Sequence, residues 1–254
     1  MTRRRIGRVF AVAVLVTAAA TTALAQRGGS NVASHYSYSG NPRYDGKFVF
    51  VRMSYPDNSF RGQPFWSHDY PAGEEHFMKI LTTISNVSGH VEESAIMAYS
   101  DPEIFKYPLI YMCEPGRWSM SDADVSNLRT YLQKGGFLII DDFRYRDWPN
   151  FEYQMSRVFP DLRSIELKPE HPIFHSFFEI NDPSSIHNYY DPPPPIFRAY
   201  FEGNDDRKRM LVMVNYNTDI SEYWEWSDTG YKPIDDNNEA FKIGVNEFIY
   251  GITH

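Results

Sequence analysis

The amino-acid sequence predicts an α/β domain over residues 47–254, built on a mostly parallel central sheet that helices cover on both faces. Short apolar runs of four or five residues recur along this part of the chain, which is typical of strands buried on both faces. Between these runs lie segments whose apolar residues follow helical spacing. Such an alternation favours parallel strands joined by helices, and therefore a sandwich of three layers.

The predicted elements follow one another in a regular order. The strand segments are residues 48–51, a shorter one near 90–94, then 109–112, 137–140 and 210–214. The helical segments have their apolar faces within residues 77–84, 125–132, 151–159 and 241–252. Ser121 and Asp124 are spaced as in a capping box before the second helix, and Asn150 is placed to cap the third. The proline-rich residues 182–195 predict an irregular excursion, because proline lacks the backbone donor that a sheet needs.

Residues 1–25 are predicted to be an export signal. Arginines within residues 3–8 precede an apolar run, and Ala23-Leu24-Ala25 has the pattern of a cleavage site. Residues 26–46 are rich in Gly, Ser, Asn and Tyr without periodicity, which predicts a flexible linker. We therefore expect an exported domain, periplasmic or otherwise extracytoplasmic, which meets the membrane only if the signal segment stays uncleaved.

Composition excludes several classes of function. The full chain has a formal net charge of −8 and a single cysteine, Cys113. The acidic balance argues against nucleic-acid partners, whose binding proteins carry a basic surface. One cysteine excludes an intramolecular disulfide, and no neighbouring feature predicts the lowered pKa that a thiol nucleophile needs. The chain lacks the motifs of nucleotide-binding loops and of the serine nucleophile elbow, so no cofactor is expected.

Polar side chains follow the predicted strands. In a sheet of parallel strands, ligands bind beyond the carboxyl ends, near the point where the strand order reverses. We therefore expect a ligand-binding crevice at that edge. The candidate ligand-binding residues are Arg52, Asp69, Trp118, Asp141, Asp142, Arg144, His171, Asn215 and Asp219.

The acidic pair Asp141-Asp142 is the sharpest of these features. Two acids directly after four apolar residues cannot both be buried and ionised without a partner. Because neighbouring residues of a strand point to opposite faces, only one of them is expected in the crevice. That carboxylate would bind a cation or a sugar hydroxyl, or act as a base. The structural alternative, which we favour, is an ion pair with Arg52 or a hydrogen bond that caps the next segment.

Histidine and tryptophan residues give weaker signals. His171 and His175 have the spacing of metal ligands on one helix face. No third candidate ligand lies at a spacing typical of a metal site, so no metal site is predicted and a structural role for His171 is favoured. All five tryptophans fall in predicted loops. A tryptophan ring in a loop either stacks on a bound sugar or peptide or packs over the hydrophobic core, and packing over the core is favoured.

Several segments resemble the bacterial domain-of-unknown-function family 4159. They include Phe48-Val49-Phe50-Val51-Arg52, Asp69-Tyr70-Pro71, His171-Pro172-Ile173-Phe174 and, most specifically, the run from Gly135 to Phe143. The resemblance spans nearly all of residues 47–254 and implies an exported or membrane-tethered envelope protein, without a defined reaction. It also implies a flavodoxin-like sandwich similar to the class I glutamine amidotransferase-like group. In that group a catalytic cysteine follows the strand that Asp141-Asp142 follows here, so glutamine hydrolysis by that mechanism is not expected.

Two functional hypotheses follow. The first, which we favour, is a non-catalytic envelope module that binds a glycan, a peptide or a partner protein. Asp141, Asp142 and Arg52 would then orient polar groups, and Trp118 or Trp224 would supply a stacking face. The second is a hydrolase of a sugar-containing substrate that uses carboxylates, with or without a divalent ion. Its base or ligand would be Asp141 or Asp142, assisted by His171 and Asp219, with at least two of these groups about 5–9 Å apart.

Overall fold

The computed structural model describes residues 40–57, 63–186 and 193–254. The predicted export signal, most of the predicted linker and part of the proline-rich excursion therefore lie outside the described residues. Residues Gly40–His254 form one compact unit. Among the described residues, no helix combines the length and the apolar character that crossing a membrane requires.

The centre of the fold is a seven-stranded sheet in the order β2-β1-β3-β4-β7-β6-β5. Five strands run parallel, and β6 and β5 close one side in antiparallel pairing. The strand order reverses between β1 and β3, which is where an open α/β sheet opens a crevice. The strands are β1 (Val51–Ser54), β2 (Ala95–Ala98), β3 (Leu109–Cys113), β4 (Phe137–Phe143), β5 (Ile165–Glu166), β6 (Ile196–Phe201) and β7 (Met210–Tyr216).

Helices cover both faces of the sheet, which confirms the predicted α/β class. They are α1 (Ala72–Ile84), α2 (Asp122–Gln133), α3 (Trp148–Val158), α4 (Ile220–Glu225) and α5 (Ile234–Thr253). Leu128 of α2 and Phe151 of α3 belong to the core on one face. Phe77 of α1, Trp224 of α4 and Phe248 of α5 belong to the core on the other. Each face of the sheet therefore buries apolar side chains against its own layer of helices.

Several boundaries differ from the prediction. The second strand is Ala95–Ala98 rather than a segment near 90–94, because its alternate residues Ala95 and Met97 are buried where it pairs with β1. The third helix begins at Trp148, and the Asn150 side chain donates to the carbonyls of Pro115 and Trp118 instead of capping it. Strand β4 continues past the apolar run to Phe143, so the acidic pair belongs to the strand itself.

Candidate functional site

Acidic side chains gather at the carboxyl edge of the parallel strands, around the point where the strand order reverses. We call this group the acidic edge; it consists of His68, Asp69, Glu114, Asp142, Asp219, Glu222 and Glu225. Three overlapping trios of these residues have ligand atoms within 4.8 Å of one another. The trios are His68, Glu114 and Asp142; Asp69, Asp142 and Asp219; and Asp69, Glu222 and Glu225.

The backbone is distorted where it presents these acids. Asp69, Glu114 and Asp142 have φ angles of 63°, 54° and 52°, in the left-handed region that non-glycine residues seldom adopt. The pairing of β4 with β7 also shifts register between Ile140 and Phe143, as at a β-bulge. A bulge re-aims side chains at the end of a strand. Left-handed residues of this kind cluster at ligand-binding sites, where surrounding contacts hold them in place.

Asp141 anchors the helix that carries part of the acidic edge. Its fully buried carboxylate accepts hydrogen bonds from Tyr111 Oη at 2.8 Å and from the backbone N–H groups of Ile220 and Ser221, each at 3.0 Å. Burial raises the pKa of Asp141 to about 6, although these donors favour the ionised form. Asp141 therefore fixes the start of α4 rather than facing the crevice.

Asp142 faces the other way and lacks comparable partners. Its side chain is 9% exposed, and within the described part of the chain its nearest cationic group is His68 Nδ1, at 3.8 Å. His68 is the charged partner of this carboxylate, and that contact favours its ionised form. Burial raises the pKa of Asp142 to about 7, and the charge of Glu114 adds to the effect. His68 Nδ1 is 3.2 Å from Glu114, and contacts with Asp142 and Glu114 raise the pKa of His68 to about 10.

The remaining acids crowd against Asp142. Asp69 accepts a hydrogen bond of 2.6 Å from Ser221 Oγ, and Asp219 accepts one of 3.0 Å from the backbone of Glu222. Burial raises the pKa of both aspartates, and the charges of Asp142 and Asp69 raise that of Asp219 further. Like charges held this close disfavour ionisation, and a bound cation would reverse that effect.

Arg52 holds the loop that carries His68 and Asp69. It is 1% exposed and forms an ion pair with Glu74 of α1. It also donates to the carbonyls of Trp66 at 3.0 Å and His68 at 2.8 Å. The predicted ion pair between Arg52 and the acidic doublet is therefore wrong. The arginine pairs with Glu74 because α1 presents that carboxylate directly above β1.

A cleft of about 630 Å³ opens beside the acidic edge. His68, Glu114 and Asp142 form part of its wall. Three arginines, here called the rim arginines, also line it: Arg117, Arg144 and Arg146. The wall of the cleft thus carries both carboxylates and guanidinium groups.

Some predicted site residues lie elsewhere. Trp118 and Trp224 are each 1% exposed and pack in the core, so neither can supply an open stacking face. Asn215 is buried and donates to Glu247 of α5 at 3.2 Å. His171 contacts the rings of Phe201 and Tyr250. Because Phe201 pairs with Met210, where β7 begins, His171 lies at the opposite edge of the sheet and cannot assist Asp142.

Sequence reasoning did not select four members of the acidic edge. Glu114 directly follows β3, so the strand-end rule contained the signal needed to choose it. His68 stands beside the selected Asp69. Glu222 and Glu225 belong to α4, a helix of 6 residues, which is too short for its apolar spacing to be recognised.

Comparison with known families agrees with the extent of this fold. The model of a family described as a domain of unknown function, DUF4159, matches residues 48–252. No curated protein matches the chain. The matched residues include the whole acidic edge and all seven strands. The chain therefore belongs to the family of domains of unknown function DUF4159.

Proposed function

We propose that this domain binds a divalent metal ion through Asp69, Asp142 and Asp219, and that the ion fixes a ligand in the adjoining cleft. The observation that supports it best is the Asp142 carboxylate, which lines the cleft on a side chain that is 9% exposed and has ligand atoms of Asp69 and Asp219 within 4.8 Å. This proposal replaces the expectation that the domain needs no metal or cofactor.

The chemistry of the three side chains favours a hard cation. Carboxylate oxygens are the preferred ligands of Mg²⁺, Ca²⁺ and Mn²⁺, and their ligand atoms here lie within 4.8 Å of one another. A bound cation would reverse the effect of their mutual repulsion and favour all three ionised forms. His68 and Glu114 lie on the cleft side of Asp142, where they would contact a ligand rather than the ion.

The predicted compartment limits the choice of ligand. If residues 1–25 direct export, the ligand is a component of the cell envelope, such as a glycan, a peptide or the exposed part of another envelope protein. The overall role would then be ion-dependent binding in the periplasm or outside the cell.

Titration calorimetry with Mg²⁺, Ca²⁺ and Mn²⁺ tests the metal site. We expect saturable binding of at least one ion by the full domain, and at least about tenfold weaker binding by Asp142→Asn. The matched control is Asp206→Asn, because Asp206 is exposed in the turn between β6 and β7 at the opposite edge. Absence of binding by all three ions, or equal affinities for Asp142→Asn and the control, would contradict the proposal.

Proton release gives a second readout. Asp142 has a pKa raised to about 7, so at pH 7 a bound cation should displace part of a proton from it. The apparent binding enthalpy should then differ between two buffers of different ionisation enthalpy. An enthalpy that is the same in both buffers would show that no proton leaves, and the three aspartates would not be the ligands.

Metal-assisted hydrolysis is a second candidate function. Asp142 and Asp219 lie closer together than the roughly 5–9 Å that this hypothesis set, since their ligand atoms are within 4.8 Å, which suits two ligands of one ion. The histidine beside Asp142 is His68, whereas the sequence-based hypothesis had named His171. A divalent ion there would polarise a ligand oxygen, and His68 would donate a proton to a leaving group. Ion-dependent turnover that His68→Gln abolishes, with ion binding retained, would distinguish an enzyme from a binding module.

A further inference from the structure

We infer that the ligand of the cleft carries a phosphoryl group, held between the metal ion at Asp142 and two of the rim arginines, Arg117 and Arg146. This inference rests on the proposed metal site and adds the chemical class of its ligand. It begins from the composition of the cleft wall, where both signs of charge face one space of about 630 Å³.

Two of the rim arginines can bind an external anion. Arg117 and Arg146 are exposed, and across the described ranges neither forms an ion pair with a carboxylate of the chain. The Arg117 guanidinium instead lies 5.0 Å from the centre of the Phe65 ring, which fixes it at the edge of the cleft. A guanidinium positioned by an aromatic face keeps its N–H groups available for an oxyanion.

The carboxylates in the wall of the cleft explain why an anion would need the metal ion in order to bind. Glu114, Asp142 and Asp147 also line the cleft, and their charges would repel an anion that approached alone. An ion at Asp142 would offset that repulsion and would itself coordinate an oxygen of the ligand. Anion binding should therefore depend on the metal ion.

The number of groups that face the cleft favours a phosphoryl group over a carboxylate. A metal ion and two guanidinium groups together demand three acceptor oxygens, which a phosphoryl group offers and a carboxylate does not. Metal ions and arginines are the usual partners of phosphoryl oxygens in proteins. The volume of the cleft exceeds what one phosphoryl group fills, so this group would be one end of a larger molecule.

Binding measurements with defined probes test the inference. Titrations use inorganic phosphate, glucose 1-phosphate and glucose, each with and without saturating Mn²⁺. We expect glucose 1-phosphate and phosphate to bind only with Mn²⁺, and glucose not to bind. Sedimentation with phosphatidylglycerol vesicles in Mn²⁺ separates the two sources of the group: co-sedimentation indicates a lipid headgroup, and its absence beside glucose 1-phosphate binding indicates a soluble ligand.

Variants then locate the site. The double variant Arg117→Gln/Arg146→Gln should bind glucose 1-phosphate at least about tenfold more weakly, with unchanged Mn²⁺ affinity. Arg207→Gln, in the exposed turn between β6 and β7, is the matched control, and thermal unfolding confirms that each variant folds. If Mn²⁺ binds but no phosphorylated probe does, or if the double variant binds like the control, the inference is wrong and the metal site stands. If Mn²⁺ does not bind, the same titrations use whichever of Mg²⁺ and Ca²⁺ does, and both proposals fail if none of the three ions binds.

Discussion

Replacing Arg52 by methionine should destabilise the fold strongly and in a pH-dependent way. The Arg52 side chain is 1% exposed and pairs with Glu74, which is 2% exposed. Burial raises the pKa of Glu74 even with Arg52 beside it. Without the guanidinium that pKa rises further, so the folded variant will hold Glu74 protonated at pH 7.

The size of the effect follows from the proton that Glu74 must take up. The pKa of Glu74 is raised to about 7 while Arg52 is present, so the unsubstituted domain also holds this proton below pH 7, and at pH 8.5 keeping it costs the variant about 2 kcal/mol more. The carbonyls of Trp66 and His68 also lose their donor, which adds about 1–2 kcal/mol. We therefore expect Arg52→Met to lower the free energy of unfolding by about 3–4 kcal/mol at pH 8.5.

The sign of the pH dependence is fixed by the same proton. Above pH 7 the folded variant still holds a proton that the unsubstituted domain releases, so the stability of the variant falls as pH rises, by about 1.4 kcal/mol per pH unit relative to the unsubstituted domain. Urea unfolding followed by tryptophan fluorescence at pH 7, 7.75 and 8.5 measures this slope.

The double variant Arg52→Met/Glu74→Gln separates the two contributions. It has no carboxyl to neutralise, so it should regain about 2 kcal/mol at pH 8.5 and lose the added slope. It should still bind Mn²⁺ more weakly than the unsubstituted domain, because the loop that carries His68 and Asp69 has lost its anchor. Equal slopes for the single variant and the unsubstituted domain would show that Glu74 does not depend on Arg52 for its charge.

Three further substitutions probe the surroundings of the site. Asp141→Asn should cost about 1–3 kcal/mol of unfolding free energy, because its amide brings a donor against backbone donors; a urea midpoint equal to that of the unsubstituted domain would contradict this anchoring role. Burial raises the pKa of Glu247, whose hydrogen-bond partner is Asn215. The folded domain therefore holds a proton on Glu247 that the unfolded chain releases, and the free energy of unfolding falls as pH rises. Glu247→Gln should remove that fall, as seen by comparing thermal unfolding at pH 5 and pH 8, and an unchanged difference would count against it. A Cβ on Gly116 would lie 2.7 Å from Cβ of Asp147, so Gly116→Ala should weaken glucose 1-phosphate binding at least about threefold and leave Mn²⁺ binding intact.

The layers of the fold were predictable because their signals are local. The apolar runs that became β3, β4 and β7 are continuous in sequence, and burial on both faces of a sheet demands such runs. The strand-end rule then selected Asp142 and Asp219. These residues meet because parallel strands bring their carboxyl ends to one edge, which topology decides and spacing along the chain does not.

The misplaced residues share a different cause. His171 was a candidate ligand residue, although a structural role was favoured, and it lies beside Phe201, where the antiparallel strand β6 ends at the opposite edge. Trp118 was a candidate stacking face, although packing over the core was favoured; Gln154 and Asn150 of α3 donate to its carbonyl, and the centre of its ring lies 5.8 Å from that of Tyr99. Contacts between distant segments of this kind leave no periodic pattern in the sequence.

The architecture of the site implies that its acids reduce the stability of the ion-free fold. Asp142 combines burial, neighbouring negative charge and a left-handed backbone. Each of these three features costs free energy, so a residue with only a structural role would not be expected to combine them. Asparagine tolerates the left-handed conformation and carries no charge, so Asp142→Asn should raise the free energy of unfolding of the ion-free domain by about 0.5–2 kcal/mol at pH 8. The same variant should lose the stabilisation that Mn²⁺ gives the unsubstituted domain. A variant that is less stable without the ion would mean that Asp142 supports the fold directly, and the crowded carboxylates would then have a structural role instead of binding a metal.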